Sequence, residues 1–269
     1  MNWDTGMNVK YWLAIIAYIG VFCSAYAESS HVKVQASPKQ EFKQELNRQL
    51  KQKIHQAIVK FEQTNRKQWG FTVNRFENEE GDITESVEQF TPNADINKRW
   101  LLISANGEKA TAKQQEKFLK AKRKQASKKK KKQKQTTSSN SYSIKLRELI
   151  NQETLSYQSE TSTHIQMSFQ VTLSQFGDDT KGKLDGLLSY NKQDAFIETI
   201  TITNNAPFSP MFSASISELL LIFNFVQIDH AILFGEHALE MKGTFAYFVE
   251  IDEVSKDSYF DYQYQVLLE

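Results

Sequence analysis

Ser215-Ile216-Ser217-Glu218-Leu219-Leu220-Leu221-Ile222-Phe223-Asn224-Phe225-Val226 is the stretch that settles the fold class. In an extended chain alternate side chains share a face, which puts Leu219, Leu221, Phe223 and Phe225 together on one side. A second long strand, read over 236–250, repeats the pattern with Leu239, Met241, Phe245 and Tyr247. Shorter strand-like runs occupy 165–173, 183–190, 195–203 and 256–264. Asn191-Lys192-Gln193-Asp194 reads as a turn, and Asn204-Asn205-Ala206-Pro207-Phe208-Ser209-Pro210 as a bend. After residue 150 no segment has the length and period of a crossover helix, so these strands are expected to pair antiparallel.

Toward the N-terminus, Arg99-Trp100-Leu101-Leu102-Ile103-Ser104-Ala105-Asn106-Gly107 reads as a short apolar strand ending in a tight turn. Thr111-Ala112-Lys113-Gln114 is a capping box that starts a helix. Runs at 69–76 and 83–90 have strand composition and are joined by an acidic loop at 77–82. Further upstream, Ser37-Pro38-Lys39-Gln40 is a second capping box. Phe42, Leu46, Leu50, Ile54, Ile58 and Phe61 then recur every three or four positions, one apolar stripe on a helix that runs to about Thr64. Its polar face mixes both charges, which favours packing on a sheet over lying on a membrane. A short helix is expected at 143–150. The expected fold is α+β: a curved, half-barrel-like antiparallel sheet covered by one long N-terminal amphipathic helix and a second, lysine-rich helix.

The near-neutral total, 33 basic against 32 acidic residues, hides an asymmetry. Residues 108–135 hold 13 of the basic and 2 of the acidic residues, a basic arm on a body left with 20 and 30. Within it Lys128, Lys129, Lys130, Lys131 and Lys132 are consecutive, and like charges one turn apart oppose helix formation, so 120–142 is expected to be a flexible arm or linker. At the start of the chain, Lys10, the apolar run 11–25 and Ala25-Tyr26-Ala27 form a secretory leader, expected to be cleaved after residue 27. Met7 offers an alternative start. The run is too short for a membrane span, which needs ~20 residues. This leaves 28–269 as a single domain, exported to the periplasm or beyond. The one cysteine, Cys23, falls in the leader, so the remainder has no thiol for disulfides, metals or nucleophilic catalysis.

Chemistry-bearing patterns are sparse. His31, His55, His164, His230 and His237 lack zinc-site spacing, and His230 and His237 flank an expected turn. Ser141-Tyr142-Ser143 and Ser213-Ala214-Ser215 lack the glycine-flanked elbow of a nucleophilic serine. The ten glycines include no phosphate-binding loop. Asp178-Asp179, Glu79-Glu80 and the Glu250/Asp252 pair fall in expected loops or strand ends. No enzyme, cofactor or metal site is expected. A carboxylate beside a buried His164 or His237 would reopen a hydrolase reading. Export and the absence of interleaved aromatics in the arm argue against nucleic acid.

Arg99-Trp100-Leu101-Leu102 with Asn106-Gly107 and Thr111 resembles the "erWtLlsvdGr-PT" segment of a family of exported Gram-negative proteins of uncharacterised activity. Leu184-Asp185-Gly186-Leu187, Pro207-Phe208-Ser209-Pro210 and Phe260-Asp261-Tyr262 look like later landmarks of the same family. The resemblance covers about 65–265 without the lysine arm, and departs from the family at Ala110, where proline is usual. The later half is similar in pattern to the outer-membrane lipoprotein carriers, whose half-barrels hold acyl chains on an apolar concave face lidded by helices. That likeness implies a non-catalytic protein binding a hydrophobic ligand, lipid or lipidated protein. Leu219, Leu221, Phe223, Phe225, Leu239, Met241, Phe245 and Tyr247 would form the apolar wall; on the residues alone they read more readily as packed core, and the resemblance brings the two readings level. The alternative is a periplasmic interaction or scaffold protein whose arm, through Lys128, Lys129, Lys130, Lys131 and Lys132, docks on an anionic membrane or an acidic partner.

Overall fold

Helix α1 (Pro38–Gln63) carries the apolar stripe read from the sequence: Leu50, Ile54, Ala57, Ile58 and Phe61 are buried, and Leu46 is half-buried. This computed structural model describes residues 38–135, 145–171, 178–211, 213–246 and 248–266. The leader at 1–27 and the end of the arm at 136–142 lie outside the described residues. Contacts divide the chain into two compact units, Met1–Lys43 and Gln44–Glu269. Only the opening turns of α1 are described in the first; everything below concerns the second.

After α1, strands β1 (Trp69–Glu79) and β2 (Asp82–Phe90) form a hairpin. Its turn is two residues, Glu80 and Gly81, both at positive φ, so the strands run deeper into the acidic stretch than its composition suggests. Strand β3 (Trp100–Ala105) turns through Asn106 and Gly107, again both at positive φ, into the two-residue β4 (Glu108–Lys109). Helix α2 (Ala112–Gln135) then starts on the expected capping box. Gln114 accepts from the Thr111 amide at 2.9 Å, and the Gln114 amide donates to the Thr111 hydroxyl at 3.3 Å. The helical backbone takes in Lys128–Lys132, whose side chains lie outside what the structure describes. One turn, α3 (Leu146–Leu149), precedes β5 (Ser156–Glu160), β6 (His164–Gln170), β7 (Leu184–Asn191), β8 (Phe196–Asn204), β9 (Phe208–Met211), β10 (Ala214–Ile228), β11 (Ala231–Phe245) and β12 (Val249–Tyr264).

All twelve strands join one open antiparallel sheet in the order β4-β3-β2-β1-β12-β11-β10-β8-β7-β6-β5, with β9 pairing β10 off this path. The molecule is therefore sheet-dominated, with three α-helices among the described residues, further toward β than an α+β balance. Strand β12 is the hinge of the topology. It continues the β10–β11 meander and pairs along β1, from Trp69 opposite Tyr264 to Glu79 opposite Glu253.

The long strand read at 236–250 is displaced. The chain turns at Asp229-His230, β11 starts at Ala231 and ends at Phe245, and Ala246 and Phe248 have turn geometry. Gly235 reads as a break but sits at a register shift, between the pairs Asn224–Glu236 and Phe225–Phe234. Ala246, at φ 50°, makes the turn without a glycine, asparagine or proline to announce it. Strand β5 was not foreseen because its five residues are all exposed and carry no apolar alternation.

The main core lies between α1, α3 and one face of β6–β11. Phe61 meets Phe225 edge-on at 4.9 Å. The end of α1 is pinned to distant strands: Lys60 Nζ donates to Gln227 Oε1 at 2.7 Å, and the Ile232 amide donates to Thr64 Oγ1 at 3.1 Å. Trp69, Ala231 and Leu233 form a smaller cluster; Leu233 and Ile232, adjacent on β11, belong to the two different clusters.

Candidate functional site

The register aligns the expected wall residues on the face that α1 packs against. Leu219 pairs Met241, Leu221 pairs Leu239, Phe223 pairs His237, and Ala214 pairs Phe245. Exposure then grades across the strands. Leu219, Phe223 and Phe225 are buried core, while Leu221, Leu239 and Met241 are half-buried at the core's margin with Ile251 of β12. Phe245 is 36% exposed and Val249, its partner on β12, 41%. Tyr247 lies outside the described residues. The wall is thus two things: a packed part at Leu219, Phe223 and Phe225 of β10, and a partly open apolar strip from Leu221 of β10 across β11 to β12.

Beyond the strip the same face turns polar. His237 stacks flat on Phe223, 4.8 Å between ring centres and 4° between planes, and pairs across the ladder with Asp257. Asp257 receives the guanidinium of Arg75 on β1 and the hydroxyl of Tyr259, the latter at 3.1 Å. Arg75 Nε lies 3.1 Å from Glu88 Oε2 of β2, but its hydrogen points off line, so this contact is an ion pair and not a hydrogen bond. Lys122 of α2 closes the chain, donating to Glu88 Oε2 at 2.7 Å. The Lys122 ammonium also stands 4.0 Å from the centre of the Trp100 ring and 4.8 Å from that of Phe118.

Burial and charge set the protonation of this network. Burial pulls the Lys122 ammonium below the ordinary lysine value, with Glu88 opposing. Burial acts the same way on Arg75, but Glu88, Asp257 and Tyr259 outweigh it and hold the guanidinium up. Burial pushes the Tyr259 phenol well up, and Asp257 pushes it further. Burial pushes the His237 imidazole down against the pull of Asp257. At neutral pH Tyr259 keeps its proton and His237 is neutral. Two cations face two carboxylates, an arrangement suited to fastening α2 over β1, β2 and β3. Sequence reading missed it, although the signal exists. Phe71, Val73 and Arg75 alternate on β1, as do Phe90 and Glu88 on β2, so each strand carries a charge in the inward register.

Trp100 is a packing residue, in ring contact with Phe71, Phe90 and Phe118. Beside it Gln115 of α2 accepts from the Leu102 amide at 2.7 Å, covering the part of the β3 edge that short β4 leaves open. A shallow apolar depression where β3 meets α2 is lined by Leu101, Ile103, Lys109 and Ala110 among others.

A second polar group lies at the end of β6–β8. His164 Nε2 is 2.7 Å from Glu198 Oε2, its Nδ1 is 2.8 Å from the Thr163 hydroxyl, and Asn191 donates to the same carboxylate at 3.0 Å. One neutral tautomer satisfies every contact: Nε2–H donates to Glu198 and Nδ1 accepts from Thr163. Burial acts to raise the Glu198 carboxyl, but the bonds from His164 and Asn191 prevail and hold it below the ordinary range. Both side chains are about one-third open to solvent, 32% and 40%, which makes this a surface clasp between strands β6, β7 and β8. Among the described residues, no three His, Cys, Asp or Glu side chains gather to hold a metal ion, and no helix is long and apolar enough to cross a membrane.

Neither a family model nor a curated protein matches the chain. Among solved structures it aligns with a DUF1329 family protein from Desulfovibrio piger, at 8% sequence identity and a TM-score of 0.31, over 80% of this chain and 93% of that one.

Proposed function

We propose that this chain is an exported, non-catalytic binding protein that takes the apolar part of a lipid or lipidated partner on its helix-covered sheet face. The curved, half-barrel-like form of the sheet belongs to the same proposal. One observation carries it: the strip of Leu221, Leu239, Met241 and Ile251, half-buried at the margin of the core and continued by exposed Phe245 and Val249. A closed core ends in polar residues, and here the apolar surface continues past the buried core. A ligand laid along β11–β12 would bury the remaining exposed area, worth roughly 25 cal/mol per Å² before the costs of association. Its polar end would meet the Glu253, Ser255 and Asp257 side of β12, where the strip stops.

The test is titration of delipidated protein with a fluorescent fatty acid, alongside native mass spectrometry of protein purified from the periplasm. Copurifying lipid and saturable binding are expected. Met241→Glu, on a half-buried position, should weaken binding at least tenfold while leaving the unfolding transition cooperative. No copurifying lipid together with no fatty-acid binding defeats the reading.

A further inference from the structure

We propose that the end of the β11–β12 hairpin is a membrane-docking device that inserts Phe245 and Phe248 into the interfacial layer of a zwitterionic lipid bilayer. The docking stands on its own observations; its purpose, passing an apolar ligand between bilayer and strip, rests on the function proposed above.

The tip is the most exposed apolar feature among the described residues. Phe248 is 83% exposed, Val249 41% and Phe245 36%, three large apolar groups within five positions. The strand ends beside it have few partners among the described residues. On one flank β10 stops at Ala214, opposite Phe245, and its loop gives one further bond, from the Ala246 amide to the Ser213 carbonyl at 2.7 Å. On the other flank β1 stops at Glu79, opposite Glu253, with one bond beyond it from the Glu80 amide to the Asp252 carbonyl at 3.0 Å. Among the described residues, 249–251 therefore have β11 as their only ladder partner.

Shape selects the occupant. An aromatic side chain buries roughly 150–250 Å² at most. A tip of this size falls short of the ~800 Å² per partner of a stable protein interface. Two exposed phenyl rings at the end of a hairpin suit the bilayer interface, where amphipathic and aromatic groups collect. Charge selects the lipid. Glu79, Glu80, Glu250, Asp252 and Glu253 crowd the β1–β12 flank, so an anionic leaflet would repel this end of the molecule. The tip and the lysine arm thus favour different surfaces, which lets experiment separate them. The tip also continues the strip: Leu239, Met241 and Phe245 alternate along one face of β11, with Ile251 and Val249 opposite that face on β12.

The experiment is co-sedimentation of the full chain with phosphatidylcholine vesicles, with and without added phosphatidylglycerol. The variants are Phe248→Ser and a five-fold Lys→Gln replacement at 128–132. The native chain should bind pure phosphatidylcholine with little dependence on salt, and Phe248→Ser should bind about tenfold more weakly, the factor for one phenyl ring leaving water. The five-glutamine variant should bind phosphatidylcholine as the native chain does, and more weakly once phosphatidylglycerol is added. Fatty-acid affinity in the absence of vesicles should be the same for Phe248→Ser and the native chain, so a failed docking result leaves the ligand-binding test unaffected. Equal vesicle binding by Phe248→Ser, or none by the native chain, overturns the proposal. Self-association that Phe248→Ser abolishes, without vesicle binding, overturns it in favour of a second copy of the chain.

Discussion

Lys122→Met removes the ammonium that fastens α2 while keeping a stem of similar length. Lys122 and Glu88 side chains are only 18% and 7% exposed, and their charges meet at 2.7 Å. Breaking one partner of a buried pair costs about 3–5 kcal/mol, because the remaining charge stays buried. Arg75 still faces Glu88 at 3.1 Å and offsets part of that. Loss of the cation over Trp100 adds about 0.5–2 kcal/mol. The methionine stem retains the contacts with Trp100 and Phe118. The expected net loss is about 3 kcal/mol, read as a lower urea midpoint at unchanged slope. Glu88→Gln alone strands Lys122, while Arg75 keeps Asp257, and is also costly. The double variant should lose at least 1 kcal/mol less than the sum of the two, since neither charge is then left facing an empty position. Amide exchange along 112–122 should quicken in Lys122→Met before any other segment. A loss under 1 kcal/mol with strictly additive effects would refute the view that this network fastens the helix.

Further outcomes follow from other contacts. Because burial lowers the His237 imidazole, the unfolded chain binds more protons in the window just below its ordinary value near 6.5, so stability should fall as pH drops through that window. His237→Gln should flatten that slope in urea midpoints measured from pH 7 to 5; an unchanged slope would assign it to other groups. Tyr259 gives the opposite sign at the alkaline end: with its phenol held protonated in the fold, stability should fall above pH ~10, and less so in Tyr259→Phe. Gly186→Ala places a methyl 2.3 Å from the Phe169 ring that lies over it, forcing the ring off its site at a cost of about 1–3 kcal/mol, and Phe169→Leu in that background should recover part of the loss. Gly243→Ala meets the Ser215 carbonyl oxygen at 2.1 Å, where backbone must move, so it should cost more than Gly186→Ala and should broaden amide signals along β10–β11.

The readable parts of the sequence were those where one local rule acts alone. The α1 stripe, the Thr111 capping box and the Asn106-Gly107 turn are each fixed within a few residues, and each forms as expected. Boundaries of the long meander failed where tertiary pairing overrules local preference. Gly235 stays in the strand because Phe234 and Glu236 on either side of it pair with β10, and Ala246 is driven to positive φ because Phe245 and Val249 must pair. The apolar wall was read as a set, but no alternation pattern states where a covering helix stops. In the fold Phe223 is core and Met241 its margin. The Arg75–Glu88–Asp257–Lys122 network draws on β1, β2, β12 and α2, and only the fold brings these together. Gly186, within the stretch Leu184-Asp185-Gly186-Leu187, leaves room for the Phe169 ring, a role that only the pairing of β6 with β7 reveals.

The central claim, that an apolar ligand lies along β11–β12 at the edge of α1's cover, is tested most directly by photo-cross-linking. A diazirine-bearing fatty acid, bound to the full chain and irradiated, should leave adducts on peptides spanning 237–251 and on Leu221, competed away by excess oleic acid. Adducts confined to the Leu101–Ile103 depression or to α2, or adducts that excess oleic acid does not reduce, would contradict it.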